Sequence, residues 1–69
     1  MDTFGTRLRK IRIEKGLSQN ELAEKIGCTQ TVIDGWEKDK KEPRISELKK
    51  LCECLWVSAN YLIGRTDGY

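Results

Sequence analysis

The chain has 69 residues, of which 38% are hydrophobic and 35% are charged. This length suits one small domain, and the hydrophobic fraction excludes an intrinsically disordered chain. The net charge of +2 does not by itself indicate a nucleic-acid partner, and no apolar run is long enough to cross a membrane. Three cysteines without a histidine predict no disulfide framework, no metal site and no cofactor, so the cysteines are expected to be small buried hydrophobic residues.

Basic residues gather in two segments that are separated by an acidic stretch. One segment lies within residues 7–15 and the other within residues 38–50. They either converge on one face, which would suit a phosphate backbone, or form two independent solvated helix faces. Charge alone does not decide between these alternatives.

Helical periodicity fills the first half of the chain and predicts helices without strands. The first helix is expected over about residues 3–15, with Gly16 at its end. Ser18 begins a capping box that starts the second helix, and Gly27 closes that helix. Thr29 caps the third helix.

The second half of the chain predicts two further helices. Pro43 suits the start of the fourth helix, and Ser58 caps a short fifth helix that Gly64 ends. Residues 1–64 are expected to form one domain, and residues 65–69 a short flexible tail. The predicted core consists of the apolar positions at helical spacing: Phe4, Leu8, Ile11, Leu22, Ala23, Ile26, Ile33, Leu48, Leu51, Cys52, Leu55 and Leu62.

The second and third helices are joined by a very short turn at residues 27–29. Helices joined so closely cross steeply, so a small residue such as Ala23 is needed where they touch, and Gly27 takes the positive φ of the turn. The positions that fit this arrangement are Leu22, Ala23, Ile26, Gly27, Ile33 and Trp36. They predict a helix-turn-helix unit, in which the second helix of the unit enters the major groove of DNA.

The polar face of the third helix carries candidates for contacting bases. Gln30 and Thr31 lie near its N-terminal end, where a Gln amide pairs with adenine and a Thr methyl packs on a thymine methyl. Asp34 is a candidate acceptor for cytosine N4. Gly35 is expected to be exposed in mid-helix, where glycine costs about 1 kcal/mol relative to alanine. Either the bare backbone at Gly35 allows the helix to lie close in the groove, or the glycine is a neutral sequence change at a surface position that accepts many residues.

Other residues are candidates for holding phosphates. The amide of Gln19 and the free backbone N–H groups at the start of its helix suit a phosphate oxygen. Thr29 lies at the start of the third helix, and Lys38, Lys40 and Lys41 follow its end. Such contacts position a protein on the duplex without reading its sequence.

Four segments of the chain resemble the Cro/C1-type (XRE-like) repressors of phages and bacteria, and the resemblance extends over residues 4–64. The segments are FGTRLR at 4–9, LSQNELA at 17–23, IDGWE at 33–37 and VSANYL at 57–62. The resemblance implies an all-α, compact five-helix bundle of the lambda-repressor-like DNA-binding type, in which helices 2 and 3 form the helix-turn-helix. It also implies a homodimer that binds a two-fold symmetric operator of double-stranded DNA.

The resemblance implies one structural pair and marks three departures. Arg12 and Glu37 occupy positions that form an inward salt bridge in the family. Gly35 stands where a long polar residue is common, and Asp39 stands where glycine is usual, which leaves the path of that turn open. Trp56 stands where a small or polar residue is usual, so it either covers the local core or offers an adhesive surface.

These observations predict a sequence-specific DNA-binding transcriptional regulator of the repressor kind, located in the cytoplasm. The alternative is an antitoxin or another protein-interaction module with the same fold, although no toxin-binding segment is expected after Gly64. An enzyme is not expected, because the chain has no histidine, no paired carboxylates beside an apolar pocket and no phosphate loop.

Overall fold

The computed structural model describes residues 2–66, and in these residues the chain forms five α-helices and no strand. The helices are α1 (Phe4–Glu14), α2 (Gln19–Ile26), α3 (Gln30–Glu37), α4 (Ile45–Leu55) and α5 (Ala59–Leu62). α3 packs against α1 and α2, α4 packs against α2 and α5, and α5 also packs against α1. This arrangement confirms the predicted all-α, five-helix fold.

One apolar cluster forms the core, and every helix contributes to it. Its buried members are Leu8, Ile11, Leu22, Ala23, Ile26, Ile33, Trp36, Leu51, Leu55, Val57, Tyr61 and Leu62. Phe4, Leu48 and Cys52 were predicted to be buried, but they are half-buried and pack against the edge of the cluster. A chain of this size has little interior, so residues at the rim of its core keep part of their surface in solvent.

The cysteines are less buried than the expected small buried hydrophobic residues, because Cys28, Cys52 and Cys54 are all half-buried free thiols. Partial burial disfavours the charged thiolate, and this raises the pKa of Cys28 and of Cys52 above the usual value for a thiol. A smaller fraction of these two thiols is therefore ionised at neutral pH than of an ordinary cysteine.

The start of α4 was predicted wrongly. Pro43 lies outside the helix, which begins at Ile45 after Arg44 as the N-cap residue. The backbone N–H of Arg44 donates to the carboxylate of Glu47 at 2.8 Å, so the helix start is stabilised by the acidic side chain in its first turn. This hydrogen bond sets the boundary two residues later than the fixed φ of proline suggested.

The N-terminus of α1 lies directly against the C-terminus of α3. A Cβ atom added at Gly5 would lie 2.4 Å from the carbonyl oxygen of Glu37 and 2.7 Å from that of Trp36. Real side chains do not approach a backbone oxygen so closely, so the packing of these two helix ends requires glycine. This contact joins residues more than 30 positions apart, and no local pattern around Gly5 predicts it.

The first basic segment does not present all its charges to solvent. Arg7 is buried, and its Nη1 atom donates to the carbonyl oxygens of Tyr61 at 2.9 Å and of Thr66 at 2.6 Å. Its guanidinium also lies 4.8 Å from the centre of the Tyr61 ring. These contacts hold Thr66, which belongs to the predicted tail 65–69, against α1. Residues 67–69 of that tail lie outside the described residues.

Candidate nucleic-acid interface

The turn between α2 and α3 fixes where α3 begins. Gly27 has a φ of 79°, and the N–H groups of Gly27 and Cys28 both donate to the carbonyl oxygen of Ala23 at 2.9 Å. Ala23 is buried at this crossing, as its small side chain predicted. The hydroxyl of Thr29 then accepts from the backbone N–H of Val32, which caps α3 and commits the threonine side chain to the helix start.

A buried ion pair anchors α3 to α1. The Nε atom of Arg12 donates to Oε2 of Glu37 at 2.6 Å, and its Nη2 atom donates to Oε1 of the same carboxylate at 3.1 Å. The two side chains are only 10% and 3% exposed. The remaining Nη1 atom of Arg12 donates to the carbonyl oxygen of Leu17 at 2.7 Å. This is the inward pair that the family resemblance implied.

Hydrogen bonds extend from this ion pair to the outer face of α3 through Gln19. The Nε2 atom of Gln19 donates to the carboxylates of Glu37 at 3.1 Å and of Asp34 at 3.2 Å. Two carboxylates require donors, so they fix which end of the Gln19 amide points toward them. The Oε1 atom of Gln19 therefore faces outward, and it accepts from Nε2 of Gln30 at 3.4 Å.

This arrangement changes the role expected for the Gln19 side chain. Its amide was a candidate phosphate contact, but both amide hydrogens point to carboxylates within the protein. The Ser18 hydroxyl accepts from the backbone N–H of Glu21, so the N–H groups of Gln19 and Asn20 are the donors that remain at this helix start. Sequence reasoning missed the contact between Gln19 and Gln30, since these residues belong to different helices.

Gln30 and Thr31 are both exposed at the N-terminal end of α3. The Gln30 amide is oriented by its hydrogen bond from Nε2 to Gln19, so its own Oε1 atom faces away from that contact. Thr31 stands beside it on the same turn of the helix. The surface thus offers an amide and a methyl-bearing hydroxyl side by side.

Asp34 is half-buried and is held as a carboxylate by its neighbours. Lys38 lies one turn along α3, and its Nζ atom is 3.0 Å from Oδ2 of Asp34. The hydrogen bonds from Lys38 and then from Gln19 lower the pKa of Asp34 below its usual value. The charge of Lys38 is thus partly balanced within α3, whereas Lys40 and Lys41 are exposed beyond the helix end.

Gly35 is half-buried, which corrects the expectation of an exposed position. The chain turns back after α3, and the backbone N–H of Lys40 donates to the carbonyl oxygen of Gly35 at 2.9 Å. A Cβ atom at Gly35 would meet the Cδ atom of Lys41 at 3.9 Å, an ordinary van der Waals distance. The side chain of Lys41 therefore passes close to this part of α3, and the free protein has room for alanine there.

Trp56 does not cover the core. It follows α4 with a φ of 59°, in the left-handed region, and the residue is 83% exposed. A shallow depression beside it is lined by Lys25, Ile26, Lys50 and Cys54, among others. Of the two roles expected for this residue, an adhesive surface is the one that its position allows.

Neither a metal site nor a membrane-spanning helix is found in the described part of the chain. Within residues 2–66, no group of three or more His, Cys, Asp or Glu side chains is placed to hold a metal ion. None of the helices in that range has the length and apolar character that crossing a bilayer requires.

The chain is similar to known regulators in sequence and in structure. It is 40% identical over 63 residues to the SPbeta prophage-derived HTH-type transcriptional regulator YonR of Bacillus subtilis (strain 168), which corresponds to 91% of this chain and 58% of YonR. The P22 c2 repressor in complex with a synthetic operator aligns with a TM-score of 0.88 and 28% identity, over 91% of this chain and 96% of that one. SinR in complex with DNA aligns with a TM-score of 0.81 and 36% identity, over 87% of this chain and 97% of the SinR chain.

The chain spans about half the length of the curated relatives that it matches first. A family model described as "Helix-turn-helix" matches residues 8–62, which includes all of α2, α3, α4 and α5. The resemblance noted in the sequence is thereby confirmed. This chain belongs to the Cro/C1-type helix-turn-helix family, whose members are DNA-binding regulators of transcription and not enzymes.

Proposed function

We propose that this chain is a sequence-specific repressor that binds double-stranded DNA with α3 in the major groove. The observation that carries this proposal is the outer face of α3, where Gln30 and Thr31 are exposed near the N-terminal end and the Gln30 amide is already oriented by Gln19. The likeness to the P22 c2 repressor, whose structure was solved with an operator, supports it.

Gln30 is the principal base-reading residue in this proposal. One of its amide hydrogens is directed to Gln19, so its Oε1 atom and second N–H remain for a base. An acceptor beside a donor matches the N6 and N7 atoms of adenine in the major groove. Thr31 supplies a methyl group that packs on thymine, and Asp34 supplies an acceptor for cytosine N4. Gly35 has no side chain, so it allows the helix to approach the base pairs closely.

The phosphate contacts lie on either side of α3. The start of α2 at Gln19 and the start of α3 at Thr29 present backbone N–H groups with a helix dipole behind them. Beyond the other end of α3, Lys40 and Lys41 supply exposed positive charge, and Lys38 supplies less because of its contact with Asp34. These contacts would hold the protein on any duplex, while the bases select among duplexes.

The difference between these roles is measurable by titrating variants against preferred and scrambled duplexes at several salt concentrations. Gln30→Ala is expected to weaken binding to the preferred duplex by about 1–3 kcal/mol and to relax the choice at one base pair, with little change in salt dependence. Lys40→Ala is expected to weaken binding to all duplexes and to lower the slope of log affinity against log salt by about one. Asn60→Ala, which removes an exposed amide from α5, is the control.

We further propose that the protein acts as a homodimer on a two-fold symmetric operator, with the Trp56 surface at the dimer contact. An aromatic residue in the left-handed region costs conformational energy, and Trp56 buries little of its surface in return. Burial against a second copy would offset that cost. Binding to the two halves of such an operator requires the two α3 helices to lie about one DNA turn, or about 34 Å, apart.

Sedimentation of wild type and Trp56→Ala with a two-fold operator tests the dimer contact. The variant is expected to bind as a monomer or to dimerise more weakly. Equal dimer formation by both proteins would remove Trp56 from the interface.

We also propose a cytoplasmic location, since its DNA partner is there and free thiols suit a reducing compartment.

The alternative is a protein-interaction module that uses the same fold without reading DNA. It would be favoured if selection from random DNA returned no preferred duplex. An equal loss of preferred and scrambled binding in Gln30→Ala would show only that Gln30 does not read a base.

A further inference from the structure

Asp39 occupies a backbone position that normally favours glycine. The N–H of Lys40 donates to the carbonyl oxygen of Gly35 at 2.9 Å, and the N–H of Asp39 donates to that of Trp36 at 3.1 Å. This pair of bonds is the Schellman motif, in which the residue after the C-cap is left-handed. Asp39 accordingly has a φ of 58°. Aspartate adopts this conformation less readily than glycine, so a contact made by its side chain would offset the cost.

The compensating contact is made to the other helix end. The carboxylate of Asp39 accepts from the hydroxyl of Thr3 at 2.5 Å and from the backbone N–H of Gly5 at 2.9 Å. Both donors lie at the N-terminus of α1, Thr3 as its N-cap residue and Gly5 in its first turn, where the helix dipole favours negative charge. The absence of a side chain at Gly5 allows α1 to come close enough to α3 for these bonds to form.

The turn after α3 is therefore held from two sides. The N–H groups of Lys40 and Lys41 hold it to Gly35 of α3, and the carboxylate of Asp39 holds it to α1. Lys40 and Lys41 are exposed on this turn, and Lys41 passes beside α3.

We infer that Asp39 is a positioning residue for DNA binding, which fixes the Lys40–Lys41 turn so that both cations meet the phosphate backbone beside the groove. The inference rests on the proposed function. It predicts that removing the Asp39 side chain weakens DNA binding. Charge alone predicts the opposite, because an acidic residue beside phosphates repels them and its removal would strengthen binding.

Three variants separate position from charge. Asp39→Gly keeps the left-handed backbone and removes the contact with α1, whereas Asp39→Asn removes the charge and keeps groups that can hydrogen-bond to Thr3 and Gly5. Glu42→Gln is the matched control, since it removes one exposed negative charge from the same loop. Each is titrated with the preferred and a scrambled duplex at several salt concentrations, at a temperature where circular dichroism shows it to be fully folded.

Asp39→Gly is expected to bind both duplexes about fivefold more weakly than wild type, with a smaller salt slope, because at least one phosphate contact is lost. Asp39→Asn and Glu42→Gln are expected to bind as tightly as wild type or more tightly. In a Lys40→Ala Lys41→Ala background, Asp39→Gly is expected to cause no further loss, which a merely structural role would not produce.

Binding by Asp39→Gly that equals or exceeds wild type would overturn the inference and leave the proposed function intact. An equal loss in the double-lysine background would also overturn it, because the effect would not pass through the lysines. Failure of wild type to bind any duplex would reject the proposed function and this inference with it.

Discussion

Glu37 is the most informative residue to change, because its carboxylate belongs to the buried ion pair and also contacts Gln19 beside the candidate interface. Its carboxylate accepts two hydrogen bonds from Arg12 and one from Gln19. Glu37→Gln keeps the size of the side chain and removes its charge. The guanidinium of Arg12 would then be buried without its counter-ion, and the amide hydrogens of the new glutamine would face the donors of Arg12 and Gln19.

The expected cost follows from the burial of the pair. Removing one partner of a buried ion pair costs about 3–5 kcal/mol, whereas an exposed pair is worth about 0–1 kcal/mol. Arg12 keeps its hydrogen bond to the carbonyl oxygen of Leu17, so we expect a loss near the lower limit, about 3 kcal/mol. A 69-residue domain has a free energy of unfolding of about 3–10 kcal/mol. The variant is thus expected to lose a large part of its stability.

Thermal and urea unfolding, followed by circular dichroism, would measure this loss. A destabilisation of about 3 kcal/mol lowers the midpoint temperature of so small a domain by about 12–24 °C. Glu53→Gln is the control, because Glu53 is exposed on α4, and its stability should stay within about 0.5 kcal/mol of wild type. A Glu37→Gln protein that loses less than about 1 kcal/mol would refute the argument, since its ion pair would then behave as a surface pair.

Three further outcomes follow from the packing. Gly5→Ala is expected to lower the free energy of unfolding by about 1–3 kcal/mol through its clash with the α3 backbone, whereas Gly35→Ala should raise it by about 1 kcal/mol. Unfolding curves that give both variants the same stability would contradict this. Trp56→Gly should leave stability unchanged or slightly higher, because relief of left-handed strain is offset by the freedom of the unfolded glycine, and a loss above about 1 kcal/mol would show that Trp56 covers the core. Cys52 should react with iodoacetamide more slowly in the native protein than in urea at the same neutral pH, because burial raises its pKa; equal rates would argue against that burial.

The helix-turn-helix was predictable because its determinants are local in the sequence. The capping hydroxyls at Ser18 and Thr29 and the turn glycine at Gly27 act within a few residues, and each does in the structure what its type predicted. The start of α4 was missed although its determinant is also local. The fixed φ of Pro43 predicts a start at that residue, whereas the hydrogen bond from the Arg44 N–H to Glu47 places the start at Ile45.

The remaining features depend on contacts between distant segments. Arg7 belongs to a basic run in the sequence, but its burial against Tyr61 becomes visible only when α5 lies beside α1. The contact of Asp39 with the first turn of α1 joins residues 34 and 36 positions apart. The sequence shows that Asp39 stands where the family usually has glycine. The role of its carboxylate could not be predicted without knowing which helix end it faces. Spacing alone cannot supply that information.

The central claim is that the oriented Gln30 amide selects a DNA sequence. Its most direct test is selection of bound fragments from random duplex DNA at a stated salt concentration, carried out in parallel with wild type and Gln30→Ala. Wild type is expected to return one two-fold symmetric sequence, bound about a thousandfold or more tightly than scrambled DNA. Gln30→Ala should return a sequence that is relaxed at one base pair of each half-site, where wild type requires adenine. Identical selected sequences from both proteins, or no preferred sequence from wild type, would contradict the claim.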